Sequence, residues 1–153
     1  MTEKFRGRYR IASTRMQNWD YGKNGCYFIT ICTFKRKNYF GDINAGIMNL
    51  TEIGEMAVRF WTDIPKHFPF VVLDAFVVMP DHIHGVLIIN HNPGAQTIST
   101  IIGSYKSVVS KHYRNINPEF KWQGRFYDRV IQTGETPQAL RTYIDLNIKN
   151  WNI

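Results

Sequence analysis

The chain has 153 residues, with 19 Lys+Arg against 12 Asp+Glu for a formal charge of +7; 44% of its residues are hydrophobic and 14% aromatic. That length predicts one domain spanning 1–153, and so apolar a composition excludes a disordered chain. The longest apolar runs, such as 86–89, fall far short of the ~20 residues that span a bilayer, so no membrane association is expected. The surplus positive charge points to a polyanion partner, of which nucleic acid is the commonest.

Residues 1–24 form a basic, aliphatic-poor N-terminal arm ahead of a core at 25–153, and read as irregular chain packed on the domain. The arm has no apolar stretch of the kind a signal peptide needs, which predicts a cytoplasmic protein. Gly25 opens a strand rich in β-branched and aromatic residues that runs to Phe34. Cys26 and Cys32 both lie in it, about 20 Å apart, too far to pair with each other. Free thiols suit a reducing compartment. A basic turn, Lys35-Arg36-Lys37-Asn38, follows.

Leu50, Ile53, Ala57, Phe60 and Trp61 recur at helical spacing, with Thr51 as N-cap and Pro65 near the end. Strands are expected at 71–79 and 82–90, joined by a tight turn at Pro80-Asp81. Ile98, Ile101, Ile102, Tyr105, Val108, Val109, His112 and Ile116 mark a long helix, 125–132 a short strand, and Pro137 the start of a last helix reaching towards Asn150. The order β-α-β-β-α-β with an extra C-terminal helix is an α+β fold: the split βαβ, ferredoxin-like (RRM-like) antiparallel sheet.

The sharpest local feature is His82-Ile83-His84, directly after Met79-Pro80-Asp81. Residues i and i+2 of a strand share a face, about 6.5–7 Å apart, so two imidazoles can converge on one cation. Half-buried histidines satisfied by neighbours are the ordinary alternative. Two ligands leave a site incomplete, and the last helix offers a third. Tyr143 and Asn147, four apart, stack on one helical face, where the Asn147 amide oxygen could join the histidines. Leu140, Tyr143, Ile144, Asn147 and Trp151 also read as one core stripe, in which a tyrosine is unremarkable but a buried amide needs partners.

In order along 15–147, several segments resemble the single-tyrosine HUH (IS200-like) transposases, in particular the REP-associated tyrosine transposases. These are Arg15 to Tyr21, Tyr27 to Thr33, Val78 to His84, Ser104 to Ser107, Trp122-Gln123 with Phe126-Tyr127-Asp128, and Tyr143-Ile144 with Asn147. The resemblance implies that His82, His84 and Asn147 hold a divalent metal ion, Mg²⁺ or Mn²⁺, and that Tyr143 is the catalytic nucleophile on a DNA phosphodiester. It implies a 5′-phosphotyrosine and a free 3′-OH, then strand transfer, on single-stranded DNA with hairpin or repeat structure. Lys106 matches a helix lysine suited to a phosphate contact. Imidazole ligation in general also suits Zn²⁺, Co²⁺ and Ni²⁺. No nucleotide cofactor is expected, since the sequence has no Walker-type loop. The resemblance to the REP-associated branch favours a monomer acting in cis over a homodimer.

Candidate DNA contacts are Lys106, Arg15, Trp19, Lys35, Arg36, Lys37, Lys111, Arg114, Trp122 and Arg125, with Arg6, Arg8, Arg10, Tyr21, Lys121 and Arg129 as further members. The cations would meet phosphates and the aromatics would stack on unpaired bases. Other tyrosines are candidate nucleophiles: Tyr105 and Tyr113 lie on or beside an apolar stripe, and Tyr127 on a strand that can reach a sheet end. Two other functions remain open at this level. One is a passive nucleic-acid module stacking bases on Tyr27 and Phe28; the other is a metal-dependent nuclease that uses water.

Overall fold

The β-branched and aromatic residues of Gly25–Cys32 favour the strand around which the molecule is organised. The computed structural model describes residues 4–5, 8–9, 25–89, 97–131 and 137–151. Within the arm, β1 (Lys4–Phe5) and β2 (Arg8–Tyr9) pair antiparallel. A short hairpin therefore occupies part of what the composition suggested was irregular. Then come β3 (Gly25–Cys32), the hairpin β4 (Gly41–Asn44) and β5 (Ile47–Leu50), and helices α1 (Glu52–Thr62) and α2 (Ile64–His67). Strands β6 (Val71–Val78) and β7 (His82–Ile89) are followed by α3 (Ile98–Tyr113), β8 (Tyr127–Val130) and α4 (Pro137–Leu146).

The central sheet has the order β6-β7-β3-β8, with every pairing antiparallel. This is the ferredoxin-like arrangement, in which the first and third strands of the sheet lie in the middle. The β4–β5 hairpin and α2 are additions that the hydrophobic pattern did not announce. Thr51 caps α1 as expected, its Oγ1 accepting the Gly54 amide at 3.2 Å. The strand from Gly25 ends at Cys32 rather than Phe34, because a 3-10 turn over Phe34–Arg36 bends the chain away.

The two faces of the sheet differ. Tyr27, Ile29 and Ile31 from β3 and Ile83 and Leu87 from β7 join α1 and α3 in the main core, around Trp61, Ile101, Ile102 and Val109. The opposite face carries a much smaller buried cluster of Phe28, Val86 and Ile144, flanked by Cys26, Ala75, Val77, Ile131 and Tyr143. Helix α4 is the lid on that second face. Gly85 lies beneath the Trp61 ring, where an added Cβ would come within 2.3 Å of it; only glycine lets strand and helix layer approach so closely.

Candidate active site

The register of β7 decides which residues share the site. His82 stands opposite Cys32, and His84 opposite Thr30 on β3 and Val77 on β6. Alternation then puts His82, His84, Thr30 and Phe28 on the α4 side of the sheet. The hairpin preceding His82 is pinned by backbone bonds: Met79 N–H to the His82 carbonyl at 2.8 Å, Thr33 N–H to the Asp81 carbonyl at 3.0 Å, and Phe40 N–H to the Pro80 carbonyl at 3.0 Å. The histidine pair is thus fixed at the end of a strand bonded on both sides.

The two imidazoles meet edge to face, with ring centroids 4.6 Å apart, and only 7–8% of each residue is exposed. Each ring has a partner at Nδ1. His82 Nδ1 lies against the Asp81 carboxylate, and His84 Nδ1 is 2.8 Å from Thr30 Oγ1. Arg36 reaches the same carboxylate, with Nε 3.0 Å from Oδ2 and Nη2 3.4 Å from Oδ1. Burial acts to raise the Asp81 pKa, but the bonds from His82 and Arg36 outweigh it and hold the carboxyl below the ordinary range. Burial also pushes the Cys32 thiol up.

Helix α4 brings the tyrosine. Tyr143 packs its ring 5.7 Å from His84 and 6.0 Å from Phe28, while Ile144, the next residue, is buried against Phe28 and Val86. A bidentate ion pair anchors the helix laterally: Arg141 Nε and Nη2 each lie 2.8 Å from an Asp74 oxygen. Asp74 sits where the β6–β7 register shifts between Leu73 and Phe76, and its carboxylate also accepts the Ala75 amide. The helix ends at Leu146, so Asn147 lies just beyond it rather than within it. Its Nδ2 donates to the Tyr143 carbonyl at 2.7 Å, as an end-of-helix cap. Trp151 then approaches His82, with 6.2 Å between ring centroids. The segment 143–151 therefore brackets the histidine pair, with Asn147 between the two contacts.

These residues fit a divalent cation. A carboxylate or hydroxyl at Nδ1 is the usual way to orient a metal-ligating imidazole through Nε2. Among the described residues no three His, Cys, Asp or Glu side chains form a metal-holding group. A third protein ligand drawn from the described residues would be of another type. The Asn147 amide is a candidate, since its nitrogen is committed to the Tyr143 carbonyl and its oxygen is the donor atom that a cation would take.

A family model described as transposase, IS200-like, matches residues 26–147. The chain belongs to the IS200-like transposase family. It is 31% identical to an uncharacterised protein of Haemophilus influenzae, over 99% of this chain and 96% of that one. Its fold is similar to that of a REP-associated tyrosine transposase solved bound to a REP hairpin, with TM-score 0.61 at 17% identity, covering 91% of this chain and 80% of that one. It is also similar to a Deinococcus radiodurans protein described as a transposase, with TM-score 0.55 at 16% identity, covering 86% and 96%. A DNA-processing role follows from the family. No helix among the described residues is long and apolar enough to cross a membrane.

The expected DNA contacts scatter across this IS200-like fold. Lys35, Lys37, Lys111, Arg114 and Arg125 are exposed, and Arg15 and Trp19 lie outside the described residues. Trp122 offers no ring for stacking: it is buried in the main core and donates its indole N–H to the Lys106 carbonyl at 3.1 Å. Lys106 Nζ donates to the Gln123 and Arg125 carbonyls at 3.0 Å each, so it fastens the 121–126 segment; burial lowers its pKa. Arg129, also counted among the cations, is buried. Arg36 faces Asp81 and His82. Tyr105 is fully buried, its hydroxyl donating to the Ala57 carbonyl at 2.7 Å, and cannot serve as nucleophile. Tyr127 shares the site face, opposite Thr30, with Gln123 Nε2 3.2 Å from its hydroxyl. The pattern missed Asp81, Thr30, Trp151 and the Asp74–Arg141 pair, although the adjacency of Asp81 to His82 was a signal available in the sequence.

Proposed function

We propose that this transposase nicks and rejoins single-stranded DNA with Tyr143 as nucleophile and His82, His84 and Asn147 as ligands of a Mg²⁺ or Mn²⁺ ion. The packing of the Tyr143 ring against His84 carries the reading, since it sets a phenol beside the one paired-imidazole motif on the face. A bound cation would neutralise charge on the scissile phosphate. The Tyr143 oxygen forms the new bond to phosphorus and releases its proton to solvent. The bond to the 3′-oxygen breaks, and that oxygen leaves as a 3′-OH after taking a proton. The 5′-phosphotyrosine keeps the phosphoester for attack by a second 3′-OH, so rejoining needs no nucleotide cofactor. Exposed Lys35, Lys37 and Arg125, on chain adjoining the strand ends, would hold the phosphate backbone. The hairpin bound by the REP-associated relative makes hairpin-forming DNA the substrate to try first. Tyr143 and His84 meet within one chain, which suits a monomer acting in cis in the cytoplasm.

The test is a labelled single-stranded hairpin incubated with the protein and Mn²⁺, then denatured. A covalent adduct that Tyr143→Phe abolishes and Tyr127→Phe retains is the expected result. Loss in Tyr127→Phe alone would move the nucleophile. Cleavage without an adduct would indicate a hydrolytic nuclease, and binding without cleavage a passive module.

A further inference from the structure

We infer that Arg36 and Asp81 are positioning residues for His82, a charged second layer that fixes the ring so that Nε2 is its ligating nitrogen. The inference rests on the proposed metal site and deepens it. Asp81 is 7% exposed and contacts His82 Nδ1 directly, while Arg36 grips both of its oxygens at 3.0 and 3.4 Å. Arg36 Nη2 also lies 3.2 Å from His82 Nδ1. Both contacts cannot be hydrogen bonds to one nitrogen, because Nδ1 either carries a proton or offers a lone pair. The shorter contact, to a carboxylate that can only accept, decides it: Nδ1 carries the proton and the guanidinium neighbours it through Asp81.

The backbone is bent to make this contact. Lys35 and Arg36 are consecutive non-glycine residues in the left-handed region, at φ 54° and 55°. Such conformations are costly and persist only where surrounding structure enforces them. Here the turn is wrapped on the Asp81 backbone: buried Thr33 receives the Arg36 amide on its carbonyl at 3.1 Å. The Thr33 side chain reaches the Lys37 carbonyl at 2.7 Å and the Asp81 carbonyl at 3.1 Å. His84 Nδ1 meets a hydroxyl, Thr30, where His82 Nδ1 meets a carboxylate.

The experiment is Mn²⁺ binding to the full chain without DNA, read as free Mn²⁺ by electron paramagnetic resonance, with circular dichroism to check folding. Asp81→Ala should weaken Mn²⁺ binding by roughly 10–100-fold. Asp81→Asn, which keeps an oxygen to accept from Nδ1, should recover part of that loss, and Arg36→Ala should weaken binding less than Asp81→Ala does. Unchanged binding in a folded Asp81→Ala variant overturns the inference. Unchanged binding in Arg36→Ala, with weaker hairpin binding in EDTA, makes Arg36 a phosphate contact and removes it from the layer. Wild-type Mn²⁺ binding that His82→Ala and His84→Ala do not alter overturns the metal reading itself. Independently of any variant, ¹⁵N shifts of the metal-free wild-type His82 ring should report the Nδ1–H tautomer; an Nε2–H tautomer refutes the assignment.

Discussion

Ile144 is the residue on which the placement of the helix carrying Tyr143 turns. It is 1% exposed and belongs to a cluster whose other buried members among the described residues are Phe28 and Val86. Ile144→Ala removes three carbons at about 0.8 kcal/mol each, and the cavity term brings the cost to roughly 3 kcal/mol. That cost falls on the α4 contact rather than on the main core, which lies on the other side of the sheet. The docked population of α4 should therefore drop by about 100-fold relative to undocked forms. Hydrogen exchange across Pro137–Leu146 should accelerate accordingly while exchange in β3 and β7 stays slow. Adduct formation on a hairpin substrate should fall in step with docking, and Ile144→Val should cost only about 1 kcal/mol. An Ile144→Ala protein with unchanged exchange in α4, or with β3 and β7 opening in parallel, would refute the separation of the two clusters.

The Asp74–Arg141 pair adds a pH dependence. The hydrogen bond from Arg141 holds the Asp74 carboxyl below its ordinary range, so its contribution is complete above about pH 4 and is lost as pH falls further. Protection of the α4 amides, after correction for the intrinsic pH dependence of exchange, should be flat from pH 6 to 8 and fall in acid, and Asp74→Asn should remove the acid-dependent part. Tyr105→Phe should cost about 1 kcal/mol in denaturant unfolding and leave adduct formation intact, since the hydroxyl serves only the Ala57 carbonyl. Because Lys106 Nζ is held by two carbonyls, Lys106→Ala should speed proteolysis within 121–126 and leave the salt dependence of DNA binding nearly unchanged. A slope lower by about one unit would return it to the phosphate contacts.

Much of this was legible in the chain. Long periodic segments announced α1, α3 and the ferredoxin-like order, because burial against one sheet face leaves an unmistakable spacing. His82 and His84 were legible from strand alternation alone. The β4–β5 hairpin was not: Ile47 and Leu50 are exposed there, so no apolar alternation marks it. Trp122 and Lys106 show the limit for charged and aromatic residues, whose sequence neighbours suggest solvent or DNA, and Arg36 reaches Asp81 while half of its side chain stays exposed. Their partners are 16, 17 and 45 positions away respectively and become neighbours only through the fold. Asp74 and Arg141, 67 positions apart, leave no local trace at all.

Gly85 lies between His84 and Val86 on the strand that carries the histidines, and the Trp61 ring rests on its backbone from the helix side. The two layers of the protein are therefore not free to vary independently. A bulkier or differently turned residue at position 61 would press on the strand segment that sets the histidine spacing, and a side chain at position 85 would lift α1. A requirement on the histidine face of the sheet is in this way imposed on the composition of the core on the opposite face. Substitutions tolerated in α1 should thin out around Trp61.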